Sequence, residues 1–186
     1  MKLLALALAG LVTIVAAAVL VAPARGTDDA RHSQLAAGIL RGGASRDFIA
    51  ALVSTARFHS VRQAVAAGYQ PASPCVASPA GGMGIHYENA ALMDDPTIDP
   101  ARPEILLYEP GSNGSLRLVG LEYWKRDADG NLATSDDRPS LFGQPFDGPM
   151  PGHSPVMPVH YDLHVWIWKH NPSGLFAAFN PRVSCP

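Results

Sequence analysis

The sequence has little charge and few cysteines. Only 16% of the 186 residues are charged and the formal net charge is −2, so we expect no basic surface of the kind that binds nucleic acid. The two cysteines, Cys75 and Cys185, are too few for a disulfide-rich scaffold, and neither lies in a C-x-x-C motif or a Cys/His cluster. Beyond Val21 there is no apolar run long enough to span a membrane. What remains is typical of a single globular domain with an apolar core.

The first residues have the pattern of a secretory signal peptide. Lys2 precedes an uncharged, mostly apolar run over residues 3–21, and Ala22-Pro23-Ala24 places small residues where a signal peptidase reads them. We therefore expect a signal peptide over residues 1–24 and a protein that is secreted or lies in the periplasm or cell envelope. The alternative is an uncleaved N-terminal helix that anchors the chain, since the run is long enough to cross a bilayer. If the leader is cleaved, we expect no stable membrane partner.

Export predicts the state of the two cysteines. An exported chain meets oxidising conditions, which favours a disulfide between Cys75 and Cys185 over two free thiols. The bridge would close a loop of about 110 residues and stabilise the fold by ~2–4 kcal/mol in the loop-entropy model.

The rest of the pattern predicts one α+β domain over residues 46–186, after a flexible tail over 25–45. Apolar residues recur at helical spacing over 47–67, and Gly68 ends that pattern. Two strand patterns, over 104–109 and 116–125, flank a turn that contains Asn113-Gly114, which indicates a hairpin. We expect the N-terminal helix to pack on a small, mainly antiparallel sheet, with a long Pro/Gly loop over 141–158 covering one part of it.

The segment MPVHYDLHVWIWKHNP, residues 157–172, carries the most chemistry. Because side chains alternate along a strand, His160, Asp162 and His164 are expected on one face, and Trp166 and Trp168 continue that face. The other face is then apolar. It consists of Tyr161, Leu163, Val165 and Ile167.

Histidines on one strand face suggest a metal site. Imidazole suits zinc, copper or iron, and we expect His160 and His164 to converge on one ion with a third ligand from elsewhere. His86, which follows a run of glycines that predicts backbone crowding, is the first candidate, and Glu122, inward on the hairpin, is the next. Asp162 can be a ligand, an orienter of an imidazole or a general base. Weaker candidates are Glu88, Glu109 and His153.

Two interpretations compete with this site. The same face can line a polar pocket that holds no metal, or can simply meet solvent. A different metal is also conceivable, because Met150-x-x-His153 and Met157-x-x-His160 combine thioether and imidazole as Cu(I) sites do. We interpret those methionines as packing for the Pro-rich loop, since copper-handling segments carry more of them.

Several long motifs carry a family resemblance. CVASPAGGMGIHY, EILLYEP, LRLVGLEYW, LFGQPFDGPMPGH and MPVHYDLHVWIWKHNPSGLF, spread from about Phe58 to Cys185, resemble a family of exported bacterial proteins that is frequent in actinobacteria. That resemblance implies export and assigns no activity. The order HY, LLY, LRLVGLEY and a later histidine-rich segment is also similar to plant oil-body-associated proteins, which implies a shared fold and no mechanism.

The sequence therefore predicts an exported protein with a histidine-lined pocket that binds one divalent transition metal, zinc, copper or iron. Two classes stay open. A metal-dependent hydrolase or oxidase needs an open coordination position, with Asp162 or Glu122 as the catalytic group beside His86, His160 and His164. A non-catalytic protein that binds a metal ion or a small molecule needs only the pocket.

Overall fold

The computed structural model describes residues 43–154 and 156–185 of the chain. Residues 1–42, which include the predicted signal peptide and most of the predicted tail, lie outside the described residues. The helices are α1 (Gly43–Thr55), α2 (Val61–Ala66) and α3 (Ala90–Met93), with a 3-10 helix over Ala56–His59. The strands are β1 (Gln70–Pro71), β2 (Val76–Ser78), β3 (Gly81–Glu88), β4 (Ile105–Pro110), β5 (Leu116–Arg126), β6 (Ser140–Leu141), β7 (Gln144–Pro145), β8 (Asp147–Met150) and β9 (His160–Val165).

The predicted α+β fold is confirmed. Seven strands form one sheet in the order β1-β3-β4-β5-β9-β8, with β2 also paired to β3, and every pairing is antiparallel. The helical pattern over 47–67 corresponds to α1, the 3-10 helix and α2, and α1 begins slightly earlier, at Gly43. The chain leaves the helices at Gly68, whose φ of +99° suits glycine. The predicted hairpin is β4 and β5.

The sheet has two buried faces. The helix face packs against α1 and α2 through a large apolar and aromatic cluster that includes Tyr108, Leu121, Tyr123 and Leu163. The opposite face, called the site face below, has a smaller apolar cluster. Its members are Ile105, Leu107, Val119, Trp124, Trp166 and Val183.

Two predicted face assignments are wrong. Strict alternation predicts Val119 on the face of Leu121 and Tyr123, and Leu118 on the face of Glu122 and Trp124. The β4–β5 register instead shifts at Leu107/Tyr108, so that Leu118 belongs to the helix-face cluster and Val119 to the site-face cluster. Strand β9 ends at Val165, and Trp168 lies on the helix side, where its Nε1 donates a hydrogen bond to Thr55 Oγ1 at 3.2 Å. Side chains alternate between the two faces of a strand, so an irregularity of one residue moves the neighbouring side chains to the opposite face of the sheet.

The C-terminal segment is fastened to the middle of the chain. The predicted Cys75–Cys185 disulfide is present, with the two Cα atoms 5.6 Å apart. The glycines of β3 allow the close approach that the sequence predicts, because a Cβ on Gly81 would lie 2.4 Å from the backbone of Asn180. Gly84 has a φ of +95°, and a Cβ there would lie 2.5 Å from the carbonyl oxygen of Tyr108. Side chains at these positions would push β3 away from its neighbours.

The predicted loop over 141–158 is partly ordered into strands. Its first half forms β7 and β8, and β8 pairs with β9 at the edge of the sheet. The second half, from Pro151 to Pro158, leads back into β9 and contributes His153 and Met157 to a cavity above the site face. None of the helices in the described ranges has the length and apolar character needed to cross a membrane.

Candidate metal centre

Three strands bring His86, Glu122 and His164 together on the site face. In the β5–β9 ladder Glu122 is directly opposite His164, so the two side chains rise from the same spot of the sheet. His86 comes from β3, one strand beyond β4, and its ring reaches across β4 toward Glu122. The three residues are far apart in sequence, and only the sheet order makes them neighbours.

The distances within this group suit a single metal ion. One ligand atom from each residue lies within 4.8 Å of the other two. Glu122 Oε2 is 3.3 Å from His86 Nε2 and 3.7 Å from His164 Nε2. Ligand atoms of a tetrahedral ion with bonds of about 2.0–2.1 Å lie about 3.3–3.4 Å apart. Small movements of buried side chains would therefore be enough for the group to hold an ion.

Charges in the group are strongly coupled. Burial alone would raise the pKa of Glu122, but His164 and His86 outweigh that effect and hold it at about 2. For His164, burial would lower the pKa, and the Glu122 and Asp162 carboxylates instead raise it to about 9. Both shifts have one cause: the buried Glu122 carboxylate requires a positive charge beside it, which either a protonated imidazole or a metal ion supplies.

Both imidazoles have a polar neighbour on the side away from Glu122. His86 Nδ1 is 3.0 Å from Ser73 Oγ, and His164 Nδ1 is 3.7 Å from Asp162 Oδ1. When the Ser73 hydroxyl donates to the carbonyl of Pro74, its oxygen is left to accept the Nδ1 proton of His86. In that tautomer His86 Nε2 faces a carboxylate oxygen 3.3 Å away, and either a proton on the imidazole or a metal ion between the two atoms makes the contact favourable.

Buried polar atoms without partners concentrate on the site face. Native proteins leave few such atoms, because each costs about 1–3 kcal/mol. Both ring nitrogens of His164 and the Oε2 atom of Glu122 are buried without a hydrogen-bond partner. The nearby atoms in the same condition are His160 Nε2 and Trp124 Nε1.

The remaining predicted residues lie around this group. Asp162 is buried with its Oδ1 atom 3.7 Å from His164 Nδ1, and its predicted role as an orienter or a catalytic group stays a prediction. His160 is not in the group of three, and its role as a ligand also stays a prediction. It is four residues from His164, about 13 Å of extended strand. Its Nδ1 lies 3.0 Å from the carbonyl oxygen of Pro158, and its ring stacks on Trp124.

The weaker candidates have different positions. Glu109 lies away from the group, where its carboxylate accepts hydrogen bonds from Lys169 and from the backbone N–H of Ser184 and pairs with Arg117. Glu88 and His153 line the cavity beside the group. Ser73 was missed, because a serine 13 residues before the histidine carries no local signal for this contact.

A cavity of about 620 Å³ adjoins the group. His86 and Glu122 form part of its wall, and another part is formed by His153, Ser154, Val156 and Met157. His86 is half-buried, whereas Glu122 and His164 are buried. A metal ion bound here would therefore have its closed side against the sheet and its open side toward the cavity.

Comparisons of the chain with protein-family models, with curated proteins and with solved structures find no match. The functional argument therefore rests on the geometry and chemistry of the site.

Proposed function

We propose that this protein binds one divalent transition-metal ion through His86 Nε2, Glu122 Oε2 and His164 Nε2. The observation that carries the proposal is the convergence of these three ligand atoms, of which those of Glu122 and His164 are buried and have no hydrogen-bond partner. The ion supplies the positive charge that the buried carboxylate requires. Ser73 and Asp162 orient the two rings from their Nδ1 sides, as residues around metal-bound histidines commonly do.

The donor set favours zinc or iron. Two imidazoles and one carboxylate hold zinc in several hydrolases, and the same set with open positions holds iron(II) in oxygenases. Copper(II) accepts these donors as well. When bound, such an ion acts as a Lewis acid or activates a ligand such as water or oxygen.

The cavity beside His86 favours an enzyme over a storage protein. A storage or structural site is normally closed by four protein ligands, whereas catalytic sites keep a position open. Here three ligand atoms converge and one side meets a cavity that has room for a small molecule. We therefore propose a metal-dependent hydrolase or oxidase, with a non-catalytic metal- or ligand-binding protein as the second candidate.

Export is part of the proposal. A disulfide persists in oxidising compartments, and the Cys75–Cys185 bridge is consistent with an extracellular or periplasmic protein. The signal-peptide pattern over residues 1–24 and the resemblance to exported bacterial proteins support the same location.

Metal analysis tests the proposal. The protein is purified without a histidine tag, dialysed against a metal buffer and analysed by inductively coupled plasma mass spectrometry. We expect about one zinc or iron ion per chain. Glu122→Gln keeps the size of the side chain but removes its charge, so its metal content should fall to background.

Glu109→Gln is the matched control, because Glu109 is also a buried carboxylate but is neutralised by Lys169 and Arg117. This variant should lose stability and keep its metal. Background metal in the wild-type protein would contradict the proposal, and so would equal metal in the wild type and Glu122→Gln.

A further inference from the structure

The cavity on the site face has an uneven wall. The candidate metal centre lies at one place on it, and the rest of the lining is mostly apolar. The residues outside the centre that line it include Met83, Ile105, Trp124, Met157, His160 and Phe179. A volume of about 620 Å³ lies within the range of small-molecule sites.

The charge of the wall disfavours anions. Among the described residues that line the cavity there is no lysine or arginine, whereas two carboxylates, Glu88 and Glu122, are present. Those carboxylates together offset the charge of a divalent ion. A phosphate or sulfate group entering the cavity would lose its water without gaining a cationic side chain, which is costly.

The apolar wall suits a flat ring. Trp124 and Phe179 offer aromatic surfaces, and the thioethers of Met83 and Met157 make favourable contacts with aromatic rings. Trp124 is held in place because the His160 ring stacks on it with an interplanar angle of 28°. A preformed aromatic surface loses little entropy when a ligand ring stacks on it.

Two residues that line the cavity, Trp124 and His160, each have a buried polar atom without a hydrogen-bond partner. Trp124 Nε1 is a donor. His160 Nε2 is an acceptor, because the Nδ1 proton of this ring is directed to the Pro158 carbonyl oxygen at 3.0 Å. A hydroxyl group can accept from the first atom and donate to the second, whereas an ether can only accept.

We propose that this cavity binds an uncharged, ring-containing molecule that carries a hydroxyl group, with a phenol as the simplest case. The inference rests on the proposed function, because the metal ion completes the polar part of the wall. It extends that function by naming the chemical class of the ligand.

Three matched probes test the ligand class. 1-Naphthol has the ring and the hydroxyl, 1-methoxynaphthalene lacks the hydroxyl proton, and 1-naphthyl phosphate replaces the hydroxyl by an anion. We expect saturable binding of 1-naphthol by titration calorimetry at neutral pH, with affinity at least about tenfold higher than for either other probe, a difference of ~1.4 kcal/mol.

Two alanine substitutions locate the binding. Ala72 is exposed and lines the cavity, so Ala72→Trp should obstruct it and weaken 1-naphthol binding at least about tenfold. Ala77 is exposed on β2 and is not among the lining residues, so Ala77→Trp is the matched control and should bind as the wild type does.

Metal content, measured on each sample, separates the two proposals. Metal-loaded protein that binds no 1-naphthol, or binds 1-naphthyl phosphate better, overturns the ligand class and leaves the metal centre standing. Protein that contains no metal but binds 1-naphthol in an Ala72→Trp-sensitive way overturns the proposed function and supports the ligand class. Equal binding by Ala72→Trp and Ala77→Trp overturns the location.

Discussion

The two faces of the sheet treat buried polar groups differently. On the helix face, the hydroxyls of three buried tyrosines all donate to backbone carbonyls, at 2.5–2.7 Å. The pairs are Tyr69 with Pro103, Tyr108 with Phe58, and Tyr123 with Pro100. On the site face, buried atoms of Glu122, Trp124, His160 and His164 lack partners. These helix-face hydroxyls are satisfied within the chain, whereas the site-face atoms are not, and this difference supports the proposal that the site face binds a metal ion.

Two buried carboxylates show the same difference. The Glu109 carboxylate has its partners within the chain, because Lys169, Arg117 and the backbone N–H of Ser184 surround it. Against the effect of burial, they lower its pKa. Among the described residues, the charged partners of Glu122 at close range are the imidazoles of His86 and His164. Lysine and arginine hold a permanent charge, whereas imidazole exchanges its proton for a metal at neutral pH. The first arrangement stabilises the fold, and the second suits the metal binding proposed above.

Glu104, on the helix face, is a buried polar group that is not fully satisfied within the chain. Its substitution should give the largest effect of the changes considered, an effect on stability that depends on pH. Its carboxylate is buried and accepts a hydrogen bond from the backbone N–H of Trp124 at 3.0 Å, yet burial raises its pKa from 4.5 to about 8. The folded protein therefore holds the Glu104 proton more tightly than the unfolded chain does. The resulting contribution to stability is fully present below the unfolded-state pKa and is lost as the pH rises toward the folded-state pKa. Between pH 4.5 and 8 the free energy of unfolding should fall by up to ~1.4 kcal/mol per pH unit because of Glu104.

Glu104→Gln removes this titration. Urea unfolding at several pH values should show the variant gaining stability relative to the wild type as pH rises from 4.5 to 8, and then no further gain. The comparison with the wild type cancels the titration of the other carboxyls. A stability difference that does not change with pH would mean that Glu104 is satisfied, like the tyrosines.

Asp162→Asn tests whether the second contact of His164 matters to metal binding. The change keeps the shape of the side chain but removes the charge 3.7 Å from His164 Nδ1, so metal affinity should fall ~10–100-fold. Competition against a chromogenic chelator measures it. Asp137→Asn is the control, because Asp137 accepts from Tyr161 away from the centre, and its metal affinity should equal that of the wild type.

Tyr108→Phe should have the smallest effect and touch only the helix face. It removes a buried hydrogen bond and leaves the Phe58 carbonyl without that donor, which should lower the free energy of unfolding by ~1–2 kcal/mol in urea titrations. Metal affinity should not change. A loss of metal affinity in Tyr108→Phe would show that the two faces are not independent.

Much of the fold follows from local sequence patterns. The helical spacing over 47–67, the hairpin around Asn113-Gly114 and the disulfide are all confirmed. Such patterns are short-range, or, for the two cysteines, leave only one pairing. The bulge that moves Val119 and the end of β9 at Val165 are not visible in the pattern, because both depend on neighbouring strands.

The site is predicted less completely than the fold. His86, Glu122 and His164 are all among the sequence candidates, but the ranking places His160 above Glu122, and the structure groups Glu122 with the other two. Strand periodicity tells which residues share a face, not how far apart they lie on it. Which strands are neighbours decides that Glu122 stands opposite His164, and this order is a property of the whole sheet.

X-ray absorption at the metal edge tests the central claim most directly. For metal-loaded wild-type protein we predict two imidazole nitrogens and at least one oxygen at about 2.0–2.1 Å, with no sulfur neighbour. Glu122→Gln should abolish this spectrum. A first shell of oxygen alone would contradict the account, because both imidazoles would then be missing from the ion. A shell that contains sulfur near 2.3 Å would contradict it too, because none of His86, Glu122 and His164 carries sulfur.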